Sequence, residues 1–229
     1  MKNVLCTICM RANSKGLVNK NLRLIKGKPL MFYTIDQAKK SNIFDEIVVS
    51  SDSQKILNKA KKFKIKHLIL RPKKLASDTA GKLPTIRHAL LSTEHKLSKV
   101  FDYIIDLDVT SPLRSIKDIK KSLALFKKKK AENLLSVNIS KKSPYFNIVE
   151  KRNSKIKLVK SKRNILRRQD TPKTFDLNAS IYIWKRKILV EKKTLYNPNT
   201  CIFEMPFIRS IDIDSLDDFK IVNLLIKKK

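Results

Sequence analysis

A group of basic and small residues follows the first apolar run of the chain, in the stretch CMRANSKGLVNKNLR. It combines Arg11, Lys15 and Lys20 with a single glycine, Gly16. Backbone amides around Ser14 and Gly16, with the lysines nearby, could cradle phosphate groups. The spacing fits neither a Walker A loop nor the G-x-G-x-x-G fingerprint of dinucleotide-binding folds. On spacing alone, a solvated basic loop therefore stands as the alternative to a phosphate-binding loop.

Two further polar clusters also follow apolar runs. In LRPKKLASDTAG, Arg71 comes directly after the run HLIL, and the small residues would let a ligand approach the backbone closely. The alternative is a polar loop in which Arg71 caps a helix. In DLDVTSPLR, Asp106 and Asp108 alternate along a strand and so share one face. Asp108 could orient a sugar hydroxyl or a metal ion, or it could cap a helix or pair with a lysine.

A fourth cluster, SIDIDSLDD, lies near the end of the chain. Asp212 and Asp214 are again two residues apart, and both carboxylates project from one face. Paired carboxylates suit Mg²⁺, which binds carboxylates, waters and substrate phosphates. The alternative is that Asp214 or Ser215 is only the N-cap of the helix that follows.

Apolar runs alternate with amphipathic segments through the first half of the chain, which is typical of an α/β fold with a mostly parallel sheet and helices on both faces. Ligands of such folds bind at the carboxyl ends of the strands. The predicted strands are VLCTICM, EIVVS, HLIL, YIIDL and NLLSVN. Two predicted helices are PLMFYTIDQAKKS and LPTIRHALL, and a third has Ile56, Leu57, Ala60 and Phe63 on one face. A fourth helix is capped by Ser115, with Asp118 in capping-box position.

The second half of the chain is less regular. Residues 140–176 give no continuous core signal, so they are either an excursion packed on another chain or a mobile basic loop. ASIYIW predicts another strand, and a last helix is expected to bury Leu216, Phe219, Val222 and Leu225. Neither a linker nor an internal repeat is visible, which predicts one domain over residues 1–229.

Composition sets limits on partners and location. The formal net charge is +32, but the lysines are spread through every segment, which favours a compositional bias over a nucleic-acid-binding surface. No apolar stretch approaches the roughly 20 residues of a membrane span, so we expect no membrane partner. Cys6 and Cys9 lie three apart on a predicted strand and point to opposite faces, which argues against a zinc site and, with Cys201, for free thiols in the cytoplasm.

Taken together, these blocks resemble a known family. RANSKGLVNKNLR, GKPL, IVVSSD, LRPKKLASDTAG, TSPLR, RRQDTPKTFDLNASIYI and SIDID occur in the order seen in acylneuraminate cytidylyltransferases, over nearly the whole chain. These enzymes make CMP-activated sialic acids and related nonulosonic acids. The resemblance implies a Rossmann-like nucleotidyltransferase fold, a homodimer, and a Mg²⁺-dependent reaction. In that reaction CTP and a nine-carbon 2-keto sugar acid give the CMP-sugar and pyrophosphate, by attack of the anomeric hydroxyl on the α-phosphorus.

The resemblance also implies site residues. Catalysis would rest on Arg11, Lys15, Lys20, Asp212 and Asp214, of which the two aspartates would bind Mg²⁺. The triphosphate would meet Arg11, Asn13, Ser14, Lys15, Lys20 and Asn21, and the cytosine and ribose would meet Arg71, Asp78, Thr79 and Ala80. Asp108, Gln169 and Asn178 would face the sugar, and Arg168, presented across a dimer interface by the 140–176 excursion, would meet a carboxylate.

Departures from the family pattern bear on the sugar. Asp108 stands where some sialic-acid members have Gln, and Ala12 and Asn13 stand where many members have two glycines. A basic residue that some sialic-acid members have just before the Asn corresponding to Asn178 is absent, and the nearby position is Asp176. An extra acid suits a sugar with other polar or amino substituents, so a legionaminic-type acid is at least as well supported as N-acetylneuraminate. Two rival functions are a 3-deoxy-octulosonate cytidylyltransferase and a non-catalytic, basic RNA-binding protein on the same scaffold.

Overall fold

A computed structural model describes residues 2–12, 16–77, 79–160, 165 and 167–226 of the chain. Its strands are β1 Val4–Cys9, β2 Leu24–Ile25, β3 Lys28–Pro29, β4 Glu46–Ser51, β5 His67–Leu70, β6 Tyr103–Leu107, β7 Asn133–Ile139, β8 Val149–Arg152, β9 Lys155–Leu158, β10 Phe175–Lys185 and β11 Thr200–Glu204. Its α-helices are α1 Leu30–Ser41, α2 Gln54–Lys62, α3 Lys82–Leu97, α4 Ile116–Lys128, α5 Arg186–Glu191 and α6 Leu216–Leu225.

Seven strands form one central sheet in the order β11-β7-β10-β6-β1-β4-β5. Every neighbouring pair is parallel except the two made by β10, which runs antiparallel to β6 and to β7. The predicted α/β fold with a mostly parallel sheet is therefore confirmed. The carboxyl ends of β1, β4, β5 and β6 meet at one edge of this sheet, because these four strands are parallel neighbours.

The sheet separates two hydrophobic cores, because alternate residues of each strand face opposite sides. One core includes Ile35 of α1, Ile119 of α4 and Val222 of α6, and the other includes Ile86 of α3 and Leu189 of α5. Helices thus cover both faces, as predicted. Cys6 lies in the first core and Cys9 packs against the second, so the two thiols do point to opposite faces.

Local capping signals were read correctly from the sequence, but the buried face of the last helix was not. Ser115 caps α4 in a capping box with Asp118, as expected. In α6, Val222 is buried, but Leu216 is 48% and Leu225 is 40% exposed. The prediction that both leucines lie inside is wrong, since among the described residues α6 packs on the core through Val222 and Phe219 and not through these leucines.

The segment 140–176 stands apart from the central sheet for much of its length. Within the described ranges, its β8 and β9 pair only with each other, in a small antiparallel hairpin. Apolar side chains of this hairpin are exposed, Val149 at 58% and Ile156 at 70%. That this segment dimerises, and that residues 1–229 form one domain, remain predictions. No helix in the described part of the chain has the length and apolarity needed to cross a membrane.

Candidate active site

Two adjoining clefts open at the carboxyl edge of the sheet, where the sequence predicts ligand binding. One, of about 360 Å³, is bordered by Lys20, Asn21, Thr110 and Asp214, among others. The other, of about 220 Å³, is bordered by Arg71, Ser77, Ala80 and Lys82, among others. The clefts share Cys9, Met10, Arg11 and Asp108. A larger depression of about 750 Å³ lies at the opposite, amino-terminal edge and contains none of the predicted site residues.

The basic loop after β1 is attached to the site by Lys20 and Asn21. Lys20 is buried, and its Nζ donates to the Ile213 carbonyl at 2.6 Å and to Asp214 Oδ1 at 3.0 Å. Asn21 Nδ2 donates to the Arg11 carbonyl at 2.8 Å, which closes the loop on itself. Lys20 is therefore not part of a solvated basic loop. Asn13, Ser14 and Lys15 lie outside the described residues.

Gly16 brings this loop into direct contact with the chain around Asp214. A Cβ atom at residue 16 would lie 2.1 Å from the Asp214 carbonyl oxygen. That separation is far below any van der Waals contact, so only glycine fits between the two backbones. The first and last of the predicted clusters, nearly 200 residues apart in sequence, thus meet at this point.

Asp212 and Asp214 form the carboxylate pair of the site. Asp212 Oδ1 is buried and has no hydrogen-bond partner among the described residues. Burial, followed by the nearby charge of Asp108, raises the pKa of Asp212 to about 6. The N-cap of α6 is Ser215, which forms a capping box with Asp218 and leaves the Asp214 carboxylate to Lys20. Of the two residues that could have been the N-cap, Ser215 is the cap and Asp214 is not.

This carboxylate pair fits a hard divalent cation. Within the described ranges, no group of three or more His, Cys, Asp or Glu side chains encloses a metal site. Mg²⁺ does not require such a group, because it usually binds one or two carboxylates and takes its other ligands from water and substrate phosphates. The unpartnered buried oxygen of Asp212 is the kind of donor that such an ion would satisfy.

Asp108 follows β6 and is held by two partners. Its Oδ1 accepts hydrogen bonds from Thr110 N at 3.1 Å and Thr110 Oγ1 at 2.9 Å, and its Oδ2 accepts one from Lys82 Nζ at 2.8 Å. Burial alone would raise the pKa of Asp108, but the charge and hydrogen bond of Lys82 outweigh it and lower the pKa to about 2. Asp108 is thus a fixed anion that borders both clefts, and it does pair with a lysine.

Lys82 is a site residue that sequence reasoning missed. It lies in the first turn of α3 and also pairs with Asp106 Oδ2 at 3.4 Å. The only sequence signal was its position in AGKLPT, directly after the small residues of the third strand's loop, and the lysine-rich background concealed it. Its importance became visible only through its two distant carboxylate partners.

Arg71 and its neighbours border the smaller cleft. The Arg71 side chain is buried, and its Nη2 donates to the Met10 carbonyl at 3.0 Å. Arg71 therefore binds the backbone at the end of β1 and does not cap a helix. Thr79 Oγ1 lies 3.2 Å from Ser77 Oγ, and Ala80 borders the cleft directly. Asp78 lies outside the described residues.

The remaining sugar-site residues are placed differently from one another. Asn178 is buried at an irregularity in β10, where its Oδ1 accepts from Ser136 Oγ at 2.6 Å and its Nδ2 donates to Ser210 Oγ at 2.9 Å. Its amide is therefore bonded to internal groups on both sides. Arg168 and Gln169 are exposed on a short 3-10 turn, and neither borders the two clefts of this chain.

Comparison with known proteins agrees with this site. A family model described as cytidylyltransferase matches residues 5–220. Post-translational flagellin modification protein B of Campylobacter coli is 44% identical over 230 residues, covering 100% of this chain and 97% of that protein. The CMP-N,N'-diacetyllegionaminic acid synthase of Campylobacter jejuni subsp. jejuni serotype O:2 is also 44% identical, with the same coverage.

A solved structure of CMP:2-keto-3-deoxy-manno-octonic acid synthetase complexed with CTP matches with a TM-score of 0.70. It covers 98% of each chain at 16% identity, so the likeness concerns the fold. The resemblance drawn from the sequence blocks is thus confirmed: the chain belongs to the cytidylyltransferase family and is a nucleotidyltransferase.

Proposed function

We propose that this protein is a CMP-nonulosonic acid synthetase, which transfers the cytidylyl group of CTP to N-acetylneuraminate or a legionaminate-type acid. The observation that carries the proposal is the 44% identity, over the full chain, to a protein named CMP-N,N'-diacetyllegionaminic acid synthase. The convergence of the basic loop, Arg71, Asp108 and Asp214 on two adjoining clefts at one sheet edge supports it. N,N'-diacetyllegionaminate is therefore the first acceptor to test.

In the proposed reaction the anomeric hydroxyl of the sugar acid loses its proton, which is released to solvent, and its oxygen bonds to the α-phosphorus of CTP. The bond from the α-phosphorus to the oxygen bridging it to the β-phosphate breaks, and pyrophosphate leaves with the electron pair. Negative charge accumulates on the leaving phosphates, so fixed cations beside them lower the barrier. Lys20, held rigidly against Asp214 and the Ile213 carbonyl, is one such cation, and Arg11 and Lys15 are assigned the same role.

The acids of the site divide into two groups in this proposal. Asp212 and Asp214 would hold Mg²⁺, which when bound neutralises charge on the phosphates. Asp108 instead faces the acceptor and receives a hydrogen bond from a hydroxyl or amide of the sugar. Arg71, with Asp78, Thr79 and Ala80, holds the cytosine and ribose in the smaller cleft.

We further propose that two copies of the chain assemble and that Arg168 and Gln169 act in the partner's site. The exposure of Arg168 and Gln169 away from the clefts, and the exposed apolar side chains of the β8–β9 hairpin, support this arrangement. Light scattering after size-exclusion chromatography should give a dimer mass. Replacing Ile156 with Asp should give a monomer. If wild type and variant both have the mass of one chain, the proposal is contradicted.

The deciding experiment is an acceptor panel. Purified protein with CTP and Mg²⁺ is offered N-acetylneuraminate, N,N'-diacetyllegionaminate, pseudaminate and 3-deoxy-octulosonate, and pyrophosphate release and CMP-sugar mass are measured. We expect the highest kcat/KM with the legionaminate. Turnover of the octulosonate alone would favour the rival suggested by the structural neighbour.

The non-catalytic alternative is tested with the same preparation. An RNA-binding protein of this charge should bind RNA with an affinity that falls steeply with salt. Pyrophosphate release with none of the four acids, together with such RNA binding, would refute the enzymatic proposal.

We place the reaction in the cytoplasm, in keeping with the three unpaired cysteine thiols.

A further inference from the structure

Lys82 contacts three acceptors that come from two distant parts of the chain. Its Nζ lies 2.8 Å from Asp108 Oδ2, 3.4 Å from Asp106 Oδ2 and 3.2 Å from the Ala179 carbonyl oxygen. A lysine ammonium has three N–H donors and no acceptor. Two of these donors are hydrogen-bonded inside the protein, to Asp108 and to the Ala179 carbonyl, and Asp106 lies within ion-pair distance of the same ammonium.

The two carboxylates need this cation because they are close together and little hydrated. The side chain of Asp106 is 1% and that of Asp108 is 24% exposed, whereas that of Lys82 is 28% exposed. Asp106 is held from its other side by Thr7 Oγ1 at 2.7 Å. Lys82 is thus the shared counter-ion of a pair of like charges at the end of β6.

The third partner of Lys82 belongs to the irregular part of β10. The register of β10 against β7 shifts between Leu177 and Tyr182, and Ala179 has a φ of 52°, in the left-handed region that disfavours alanine. A backbone in this conformation persists only where its surroundings hold it. The hydrogen bond from Lys82 to the Ala179 carbonyl is one of the contacts that hold it, next to Asn178.

The hydrogen-bond capacity of Asp108 shows what Lys82 controls. A carboxylate offers about four lone-pair positions. Two of those on Asp108 are used by Thr110 and one by Lys82, which leaves about one for a donor in the cleft. The position of that remaining lone pair depends on where Lys82 anchors the carboxylate.

We propose that Lys82 is a positioning residue for the acceptor sugar, which acts by holding Asp108 and the Asn178–Ala179 turn at a fixed separation. This inference rests on the proposed function, because it assigns Asp108 to the acceptor side. Lys82 itself borders the nucleotide cleft from the first turn of α3, but its Nζ is bound to Asp108, Asp106 and the Ala179 carbonyl, which we assign to the sugar side. Its loss therefore affects the acceptor far more than CTP.

The test compares Lys82→Met and Lys82→Arg with Lys96→Met, a change at an exposed lysine of the same helix. For Lys82→Met we expect kcat/KM for the sugar acid to fall about 100-fold, as for a misplacement of about 1 Å, while KM for CTP changes less than about threefold. Lys82→Arg keeps the charge, should fold even if Lys82→Met does not, and should show a smaller loss of the same kind. Lys96→Met should behave as wild type.

Equal losses for CTP and for the sugar acid in the Lys82 variants would overturn the inference, as would wild-type kinetics in both. If wild-type protein turns over none of the four acids, the proposed function fails. The positioning role of Lys82 is then tested without turnover, by amide hydrogen exchange. The Thr110 amide donates to Asp108 Oδ1 and the Asp108 amide donates to the Ser180 carbonyl. Both should exchange about tenfold faster in Lys82→Arg, and unchanged protection would overturn the positioning role.

Discussion

Replacing Gly16 with alanine tests the contact that joins the basic loop to the carboxylate pair. The new Cβ would lie 2.1 Å from the Asp214 carbonyl oxygen and 3.2 Å from the Asp214 carbonyl carbon, whereas ordinary contact begins at 3.4 Å. The two backbones must therefore separate by about 1.3 Å, since neither contacting atom belongs to a flexible side chain. Such overpacking typically costs about 1–3 kcal/mol of unfolding free energy.

The same displacement would also disturb the site, by an amount comparable to its effect on the fold. Lys20 Nζ lies 2.6 Å from the Ile213 carbonyl and 3.0 Å from Asp214 Oδ1, so a shift of this size breaks or stretches both contacts. A misplacement of about 1 Å in a catalytic group can reduce the rate about 100-fold. This corresponds to about 2.7 kcal/mol of lost transition-state stabilisation.

The assay is steady-state pyrophosphate release, combined with chemical denaturation of each variant. Gly27→Ala is the matched control, because Gly27 has a φ of +78° and a Cβ added there would meet no atom within 4 Å. It should lose about 1 kcal/mol of stability through backbone strain and keep its kcat/KM. Wild-type stability and kcat/KM in Gly16→Ala would refute the reasoning about this contact.

Three further changes probe the site and the packing around it. Asp212→Asn should abolish turnover with the melting temperature retained, and loss of activity only through unfolding would contradict a metal-binding role. Lys20→Met should raise KM for CTP or slow turnover by about tenfold or more, and unchanged kinetics would remove Lys20 from the triphosphate site. Arg209→Gln should cost about 1–2 kcal/mol at pH 7, measured by urea denaturation, because it leaves Asp118 with one partner fewer. Burial alone would raise the pKa of Asp118, but its hydrogen bonds from Arg209 and Ser115 outweigh burial and lower it. The Arg209–Asp118 pair therefore stabilises the fold fully at pH values above the ordinary carboxyl pKa. This stabilisation is lost as the pH falls through the lowered pKa of Asp118. If Arg209→Gln still has a lower unfolding free energy than wild type at pH values below the lowered pKa of Asp118, the loss does not come from the Arg209–Asp118 pair.

The sequence by itself determined the alternation of strands and helices from β1 to β7, the capping box at Ser115, and the clusters that end at one sheet edge, but it missed β11 and α5. These features depend on residues a few positions apart, through alternation, helical periodicity and capping, so they can be read without knowing the fold. The paired aspartates of SIDID were found in the same way. The family blocks added the reaction class, which the 44% identical relative supports.

Only the tertiary structure decided which of these residues meet. Lys82 could not be distinguished from the other lysines until its contacts with Asp108 and Ala179 were known, because those partners lie 26 and 97 positions away. The buried face of α6 was mispredicted for a related reason: periodicity defines an apolar stripe, but the neighbouring elements decide how much of it is covered. Likewise, Gly16 became significant only where the backbone of Asp214 crosses it, since long-range packing, and not local pattern, creates that contact.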